Sequence, residues 1–113
     1  MFEAGALVLL PFPFSDVVTT KRRPVLALTA PDEYGDFIGM AVSSRSHHAN
    51  TVTLQSDALT EGQLPKPRWI RTDRVVTLSA SLVIKEFAKI KPEIRRQAIN
   101  GRCEMLYRQI HQA

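Results

Sequence analysis

Two sets of residues in this chain have types and spacings suited to chemistry on a nucleic acid. Phe12 and Phe14 stand at the head of a loop that ends in Lys21-Arg22-Arg23. Aromatic rings beside consecutive cations are what a single strand requires, π faces for its bases and positive charge for its phosphates. Farther along, Arg71 and Asp73 lie two apart in an alternating segment, so both leave one face of a strand and can flank a single phosphate. Each set has a plainer explanation. An arginine beside an aspartate also makes a structural ion pair, and both phenylalanines also suit a core or turn. His47 and His48 offer groups that titrate near neutral pH. Adjacent histidines in a strand point apart, and no acidic or sulfur ligand stands at metal spacing. The polar run from Ser44 to Asn50 therefore reads as a solvated loop, with no metal site expected.

Strands must position these residues. Ala6 to Leu10 and Pro24 to Ala30 are short apolar runs bounded by Pro, Asp or Gly, the pattern of buried strands. Pro31 to Gly35 reads as a turn, Phe37 to Ser43 and Thr51 to Leu54 as further strands, and Gly62, Pro65 and Pro67 as marks of a loop. Trp69 to Leu78 alternates with charges on both faces, which places it across a functional or partly exposed surface. Trp69 itself reads as a core or interface ring. Ser81 to Phe87 is a strand or a helical turn by pattern, with the strand preferred. From Pro92 the period becomes helical, with Ile94, Ala98, Ile99, Cys103, Leu106 and Ile110 on one side. Asn100-Gly101 invites a break, since glycine costs about 1 kcal/mol relative to alanine. Five or six strands and one C-terminal α-helix predict a mainly β fold, a small, strongly curved SH3-like barrel with the helix on its open side.

Composition agrees with a globular chain. The 113 residues suit one domain spanning 1–113, with 44% hydrophobic and 23% charged residues and no apolar stretch near the roughly 20 needed to span a bilayer. No membrane role is expected. Met1 to Phe14 lacks a basic n-region and a cleavage site, and the lone Cys103 allows no internal disulfide, so a cytoplasmic, reducing location follows, with Cys103 in the core. The net charge of +4 is unevenly spread: residues 24–61 hold Arg45 against Asp32, Glu33, Asp36, Asp57 and Glu61. Positive potential must arise from the first loop, the arginine-rich strand and the tail, which favours a polyanionic partner.

The stretch Gly5-Ala6-Leu7-Val8-Leu9-Leu10-Pro11-Phe12-Pro13-Phe14-Ser15-Asp16, followed by Lys21-Arg22-Arg23-Pro24, resembles the opening of PemK/MazF-like toxins. Ala41-Val42-Ser43-Ser44 resembles that family's third-strand end, and Ile70 to Leu78 its later strand. The matches run in order over nearly the whole chain. The resemblance implies a ribosome-independent, sequence-selective endoribonuclease, the toxin of a bacterial type II toxin–antitoxin pair. It also implies a homodimer silenced by a cognate antitoxin, with DNA contacted only indirectly through the antitoxin complex.

Metal-free and cofactor-free cleavage of single-stranded RNA needs a base for the 2′-hydroxyl proton, an acid for the 5′-oxygen and cations for the phosphorane. By resemblance Arg23 grips the phosphate, Ser43 supplies a hydroxyl where most members have threonine, and Arg71 and Asp73 complete the catalytic set. An ordinary aspartate near ~3.9 is a feeble base and arginine does not deprotonate, so Arg71 suits charge stabilisation. Phe12, Phe14, Lys21, Arg22 and Ser44 are candidate RNA contacts, although alternation turns Ser44 away from Ser43. Residues 15–21 would form a flap over the substrate. Two other readings remain: an RNA-binding domain without catalysis, and a gyrase-binding toxin on the same fold. The latter resemblance would call for a Trp-Gly-Ile tail, whereas this chain ends Ile110-His111-Gln112-Ala113.

Overall fold

Residues along the first strand divide between two apolar clusters, one on each side of the sheet. In β1 (Ala6–Phe12), Leu7 joins Leu26 and Met40 on one side, while Ala6, Val8 and Leu10 join Val25, Ala27 and Phe37 on the other. Burial on both faces is why these strands are continuous apolar runs. Each fully buried leucine contributes roughly 1.5–3 kcal/mol. The computed structural model describes residues 1–12 and 21–111.

β2 (Lys21–Ala27) returns antiparallel to β1, pairing Phe12 with Lys21 and Leu10 with Arg23. β3 (Asp36–Ser43), β4 (Thr51–Leu54), β5 (Leu59–Gly62), β6 (Arg68–Ser79) and β7 (Lys85–Ile90) follow, and α1 (Pro92–His111) ends the described chain. Among the described residues the strands form one seven-stranded antiparallel sheet in the order β4-β6-β3-β2-β1-β7-β5. The two edge strands, β4 and β5, are neighbours in sequence, joined through a 3-10 turn at Ser56–Ala58. A connection that short forces the sheet to curl into a half-barrel. The expected mainly β, strongly curved fold with a C-terminal helix is what the chain adopts.

Several elements differ from the sequence reading. Residues 59–62 form a strand where Gly62 suggested loop alone; three of its four residues are exposed, so it carries no buried apolar pattern and is held by pairing with β7. The last strand begins at Lys85, because Ala80–Leu82 closes a 3-10 turn capped by Ser79. The helix runs unbroken through Asn100-Gly101. There Gly101 lies so close to Thr72 that an added Cβ would stand 3.2 Å from its Cγ2. The apolar side of α1 is buried only early: Ala98 is buried and Ile94 packs on the core, whereas Ile99, Cys103, Leu106 and Ile110 are exposed. The core assignment of Cys103 is thus wrong, since α1 meets the sheet at β4 and β6 and its later turns run past them. Trp69 is half-buried. No helix among the described residues is long and apolar enough to cross a membrane.

Candidate active site

An irregularity in one strand pair builds the site. β3 and β6 pair Met40 with Val75 and Val42 with Ile70, so two steps along β3 face five along β6. Residues 71–74 must therefore bulge, and bulges re-aim side chains. Alternation puts Arg71 and Arg74 on opposite faces, yet both line one pocket of about 350 Å³. Arg23 from β2, Ser43 from the end of β3, and Ser44, Arg45 and His48 from the connection to β4 complete its polar wall.

Arg71 and Asp73 form a bidentate pair. Nε of Arg71 donates to Oδ1 at 3.1 Å and its Nη2 to Oδ2 at 2.7 Å. Both are largely buried, at 17% and 29% side-chain exposure, which makes the pair stronger than a solvated one. Partial burial alone would raise the Asp73 carboxyl. The hydrogen bond and charge of Arg71, its own backbone N–H and nearby His48 prevail and hold it below the usual range. Asp73 therefore stands beside the pocket as the anchor of Arg71.

Arg23 is half-buried with its Nε inside the protein. Ser43 Oγ accepts a hydrogen bond from the Arg45 N–H at 3.0 Å, leaving its own proton to donate. Ser44 lies on the same pocket as Ser43, contrary to alternation, because β3 ends at Ser43 and the chain bends. For His48 the structure differs from the solvated position, turned away from His47, that the sequence predicts. His48 lines the pocket, and the two rings lie together, with centroids 4.3 Å apart at 39°. Partial burial, Arg71, His47 and Arg45 lower its pKa below 6.5, against the opposing pull of Asp73.

A second, larger cavity of about 790 Å³ shares Arg23, Val42 and Ser44 with the first. Leu7, Leu9, Leu64 and Phe87 give it an apolar floor, and Arg22, Arg68 and Lys85 give it cations. A phosphate in the small pocket thus has a ring-sized apolar space next to it. Lys21 is exposed at the start of β2 and faces Phe12 in register. Phe14 and residues 15–20 of the expected flap lie outside the described residues.

Arg45, His48, Arg74, Arg68, Lys85 and Phe87 were absent from the sequence-derived set. Arg68 and Arg74 belong to the arginine-rich strand, but nothing in a linear pattern reports a bulge or a loop folding back. Among the described residues, no three His, Cys, Asp or Glu side chains group as a metal site would require.

A family model described as the PemK-like, MazF-like toxin of type II toxin–antitoxin systems matches residues 3–103. No curated protein matches the chain. Among solved structures, MazE–MazF (Form-II) from Deinococcus radiodurans is similar with a TM-score of 0.72 at 22% identity, covering 93% of this chain and 95% of that one. MazF (Form-I) from the same organism gives 0.67 at 20% identity, covering 93% and 96%. An endoribonuclease in complex with its cognate antitoxin from Mycobacterial species gives 0.64 at 11% identity, covering 94% and 95%. At these identities the structural likeness speaks for the fold.

Proposed function

The chain belongs to the PemK-like, MazF-like toxins of type II toxin–antitoxin systems, and from that premise we propose that it is a metal-independent, sequence-selective endoribonuclease cleaving single-stranded RNA through 2′-hydroxyl attack. The observation that carries this reading is the meeting of Arg23, Ser43, Ser44 and Arg71 on one small pocket, with Arg45 and Arg74 beside them. Several cations on one small wall suit an anionic ligand, and a phosphodiester is the anion that the larger cavity's apolar floor and cations also suit.

In this reading Arg23 takes two phosphate oxygens with its planar fork. Arg71, already fixed by Asp73, turns its remaining N–H groups to charge that grows on the phosphorane, and a preset donor costs no reorganisation during the reaction. Ser43 donates its hydroxyl to a non-bridging oxygen. Asp73, with both oxygens engaged and its pKa held low, acts as a positioning residue for Arg71. The larger cavity receives a neighbouring base, with Arg22 on its wall and Phe12, Phe14 and Lys21 as further RNA contacts. The described residues make one sheet and one helix, which supports treating 1–113 as one toxin unit, working in the cytoplasm as a homodimer with an antitoxin as its silencing partner.

The test is digestion of mixed-sequence transcripts in EDTA with mapping of the ends. Fragments with 2′,3′-cyclic phosphate and 5′-hydroxyl ends, abolished by Arg23→Ala, are expected. Intact RNA under all conditions would overturn the reading.

A further inference from the structure

The small pocket is rich in cations and short of bases. Arg23, Arg45, Arg71 and Arg74 offer only N–H donors, and serine hydroxyls are feeble bases. Asp73 has both oxygens on Arg71 and a depressed pKa, so it accepts a proton poorly. His48 is the one side chain on the described wall of this pocket that can be neutral at pH 7 and still take up a proton.

His48 is also held in place. The connection that carries it is tied at both ends: the Arg45 N–H donates to Ser43 Oγ at 3.0 Å, and Thr72 donates to the Asn50 carbonyl through its N–H at 3.1 Å and Oγ1 at 3.2 Å. Thr72 is a buried polar residue at 2% exposure, so the second tie is anchored in the core of β6. The His47 ring packs beside that of His48 and restricts it further.

We infer that His48 is the general base of this site, taking the 2′-hydroxyl proton from a strand whose phosphate Arg23 and Arg71 hold; this rests on the endoribonuclease reading above. As His48 takes the proton, the 2′-oxygen forms its bond to phosphorus and the phosphorus–O5′ bond breaks. The departing 5′-oxygen takes a proton from water, and the imidazolium then releases its proton to the resulting hydroxide. The groups facing His48 favour the neutral form that a base requires. Arg71 and Arg74 approach from β6, Arg23 from β2, and Arg45 and His47 from its own connection, with Asp73 the single anion in opposition.

The experiment compares the native protein with His48→Gln, His48→Ala and Arg23→Ala in single-turnover cleavage of a mixed-sequence transcript across pH 4.5–8. Affinity is measured in parallel on a 2′-O-methyl oligonucleotide carrying the mapped cleavage site. His48→Gln should lower the rate at pH 7 by about 10²–10⁴-fold, as loss of a general base does, with affinity unchanged. The native rate should rise with pH through a value below 6.5 and then level, and His48→Gln should lack that rise. Free imidazole should speed His48→Ala at least tenfold. A His48→Gln rate within threefold of native, an unchanged pH profile, or a rate loss matched by lost affinity would overturn the assignment. Native cleavage that Arg23→Ala abolishes but His48→Gln leaves intact sinks His48 alone. A native protein that leaves RNA whole sinks the enzyme reading itself.

Discussion

Arg71 holds Asp73 through two hydrogen bonds of 3.1 and 2.7 Å across a two-residue step of one strand. The pair sits in the segment where β6 bulges away from β3, with Arg71 in register with Thr51 of β4 and the Thr72 N–H on the Asn50 carbonyl. The carboxylate fixes the guanidinium within that bulge. Replacing Asp73 with Asn removes a charge-assisted bond of about 1.5–3 kcal/mol, so cleavage should fall roughly 10–100-fold. Arg71→Ala combined with Asp73→Asn should be no slower than Arg71→Ala alone, because the two act as a unit. Additive losses in that cycle would show that Asp73 acts by itself.

The same pair sets an acid limit on stability. The folded-state pKa of Asp73 is below its ordinary 3.8, so its contribution is full above that value and is lost as pH falls through the folded-state value. Melting temperature recorded from pH 5 downward should fall more steeply for the native chain than for Asp73→Asn below about 3.8. Parallel curves would mean the pair contributes nothing to folding.

These two residues were legible in the sequence because spacing two on a strand is a local rule. So were β1, β3 and the apolar end of β2, which are buried on both faces and read as apolar runs, although β2 spans Lys21–Ala27 and not Pro24 to Ala30, because its exposed cationic start pairs with β1. β5 was not, since Leu59 is its only half-buried residue and its strand geometry comes from β7. His48, Arg45 and Arg74 escaped for a related reason. They reach the pocket through a bulge and through a connection pinned by Thr72, and both arrangements depend on contacts between segments distant in the chain.

Ser43 links loop and pocket. Ser43→Ala deletes the acceptor of the Arg45 N–H and the proposed donor to the phosphate, a loss near 1 kcal/mol for each hydrogen bond. Cleavage should fall about tenfold with little change in melting, because Arg45 is exposed and its N–H can turn to water. Ser43→Thr keeps the hydroxyl and should stay within about threefold of native, less than the roughly 1 kcal/mol of one hydrogen bond. Equal rates for all three proteins would remove Ser43 from the site.

Cation clustering predicts a strong dependence on salt. For single strands the logarithm of affinity falls with the logarithm of salt by about 0.7 per phosphate neutralised. Arg45→Gln should therefore lessen the slope by roughly 0.7 in binding of a 2′-O-methyl oligonucleotide. Neutralising Glu33, exposed in the turn between β2 and β3, should leave the slope unchanged. An unchanged slope for Arg45→Gln would place Arg45 off the path of the backbone.

Gly62 ends β5 at the rim of the larger cavity with φ of +85°, and an added Cβ would meet the Phe87 carbonyl and stand 2.7 Å from Ala88 Cα. Backbone cannot yield to that contact without parting β5 from β7. Gly35 provides the comparison, since its φ is +81° but nothing lies within 4 Å of a Cβ there. Gly35→Ala should cost only the left-handed conformation, about 1–2 kcal/mol. Gly62→Ala adds the clash and should cost about 3–4 kcal/mol, lowering the melting temperature by roughly 10–20 °C. It should also weaken RNA binding in whatever fraction stays folded, because Gly62, Gln63 and Leu64 all line the cavity proposed to receive the neighbouring base. Equal melting temperatures for the two variants would mean that β5 is free to move off β7, and the cavity wall would then not be the preformed surface that the proposed base contact requires.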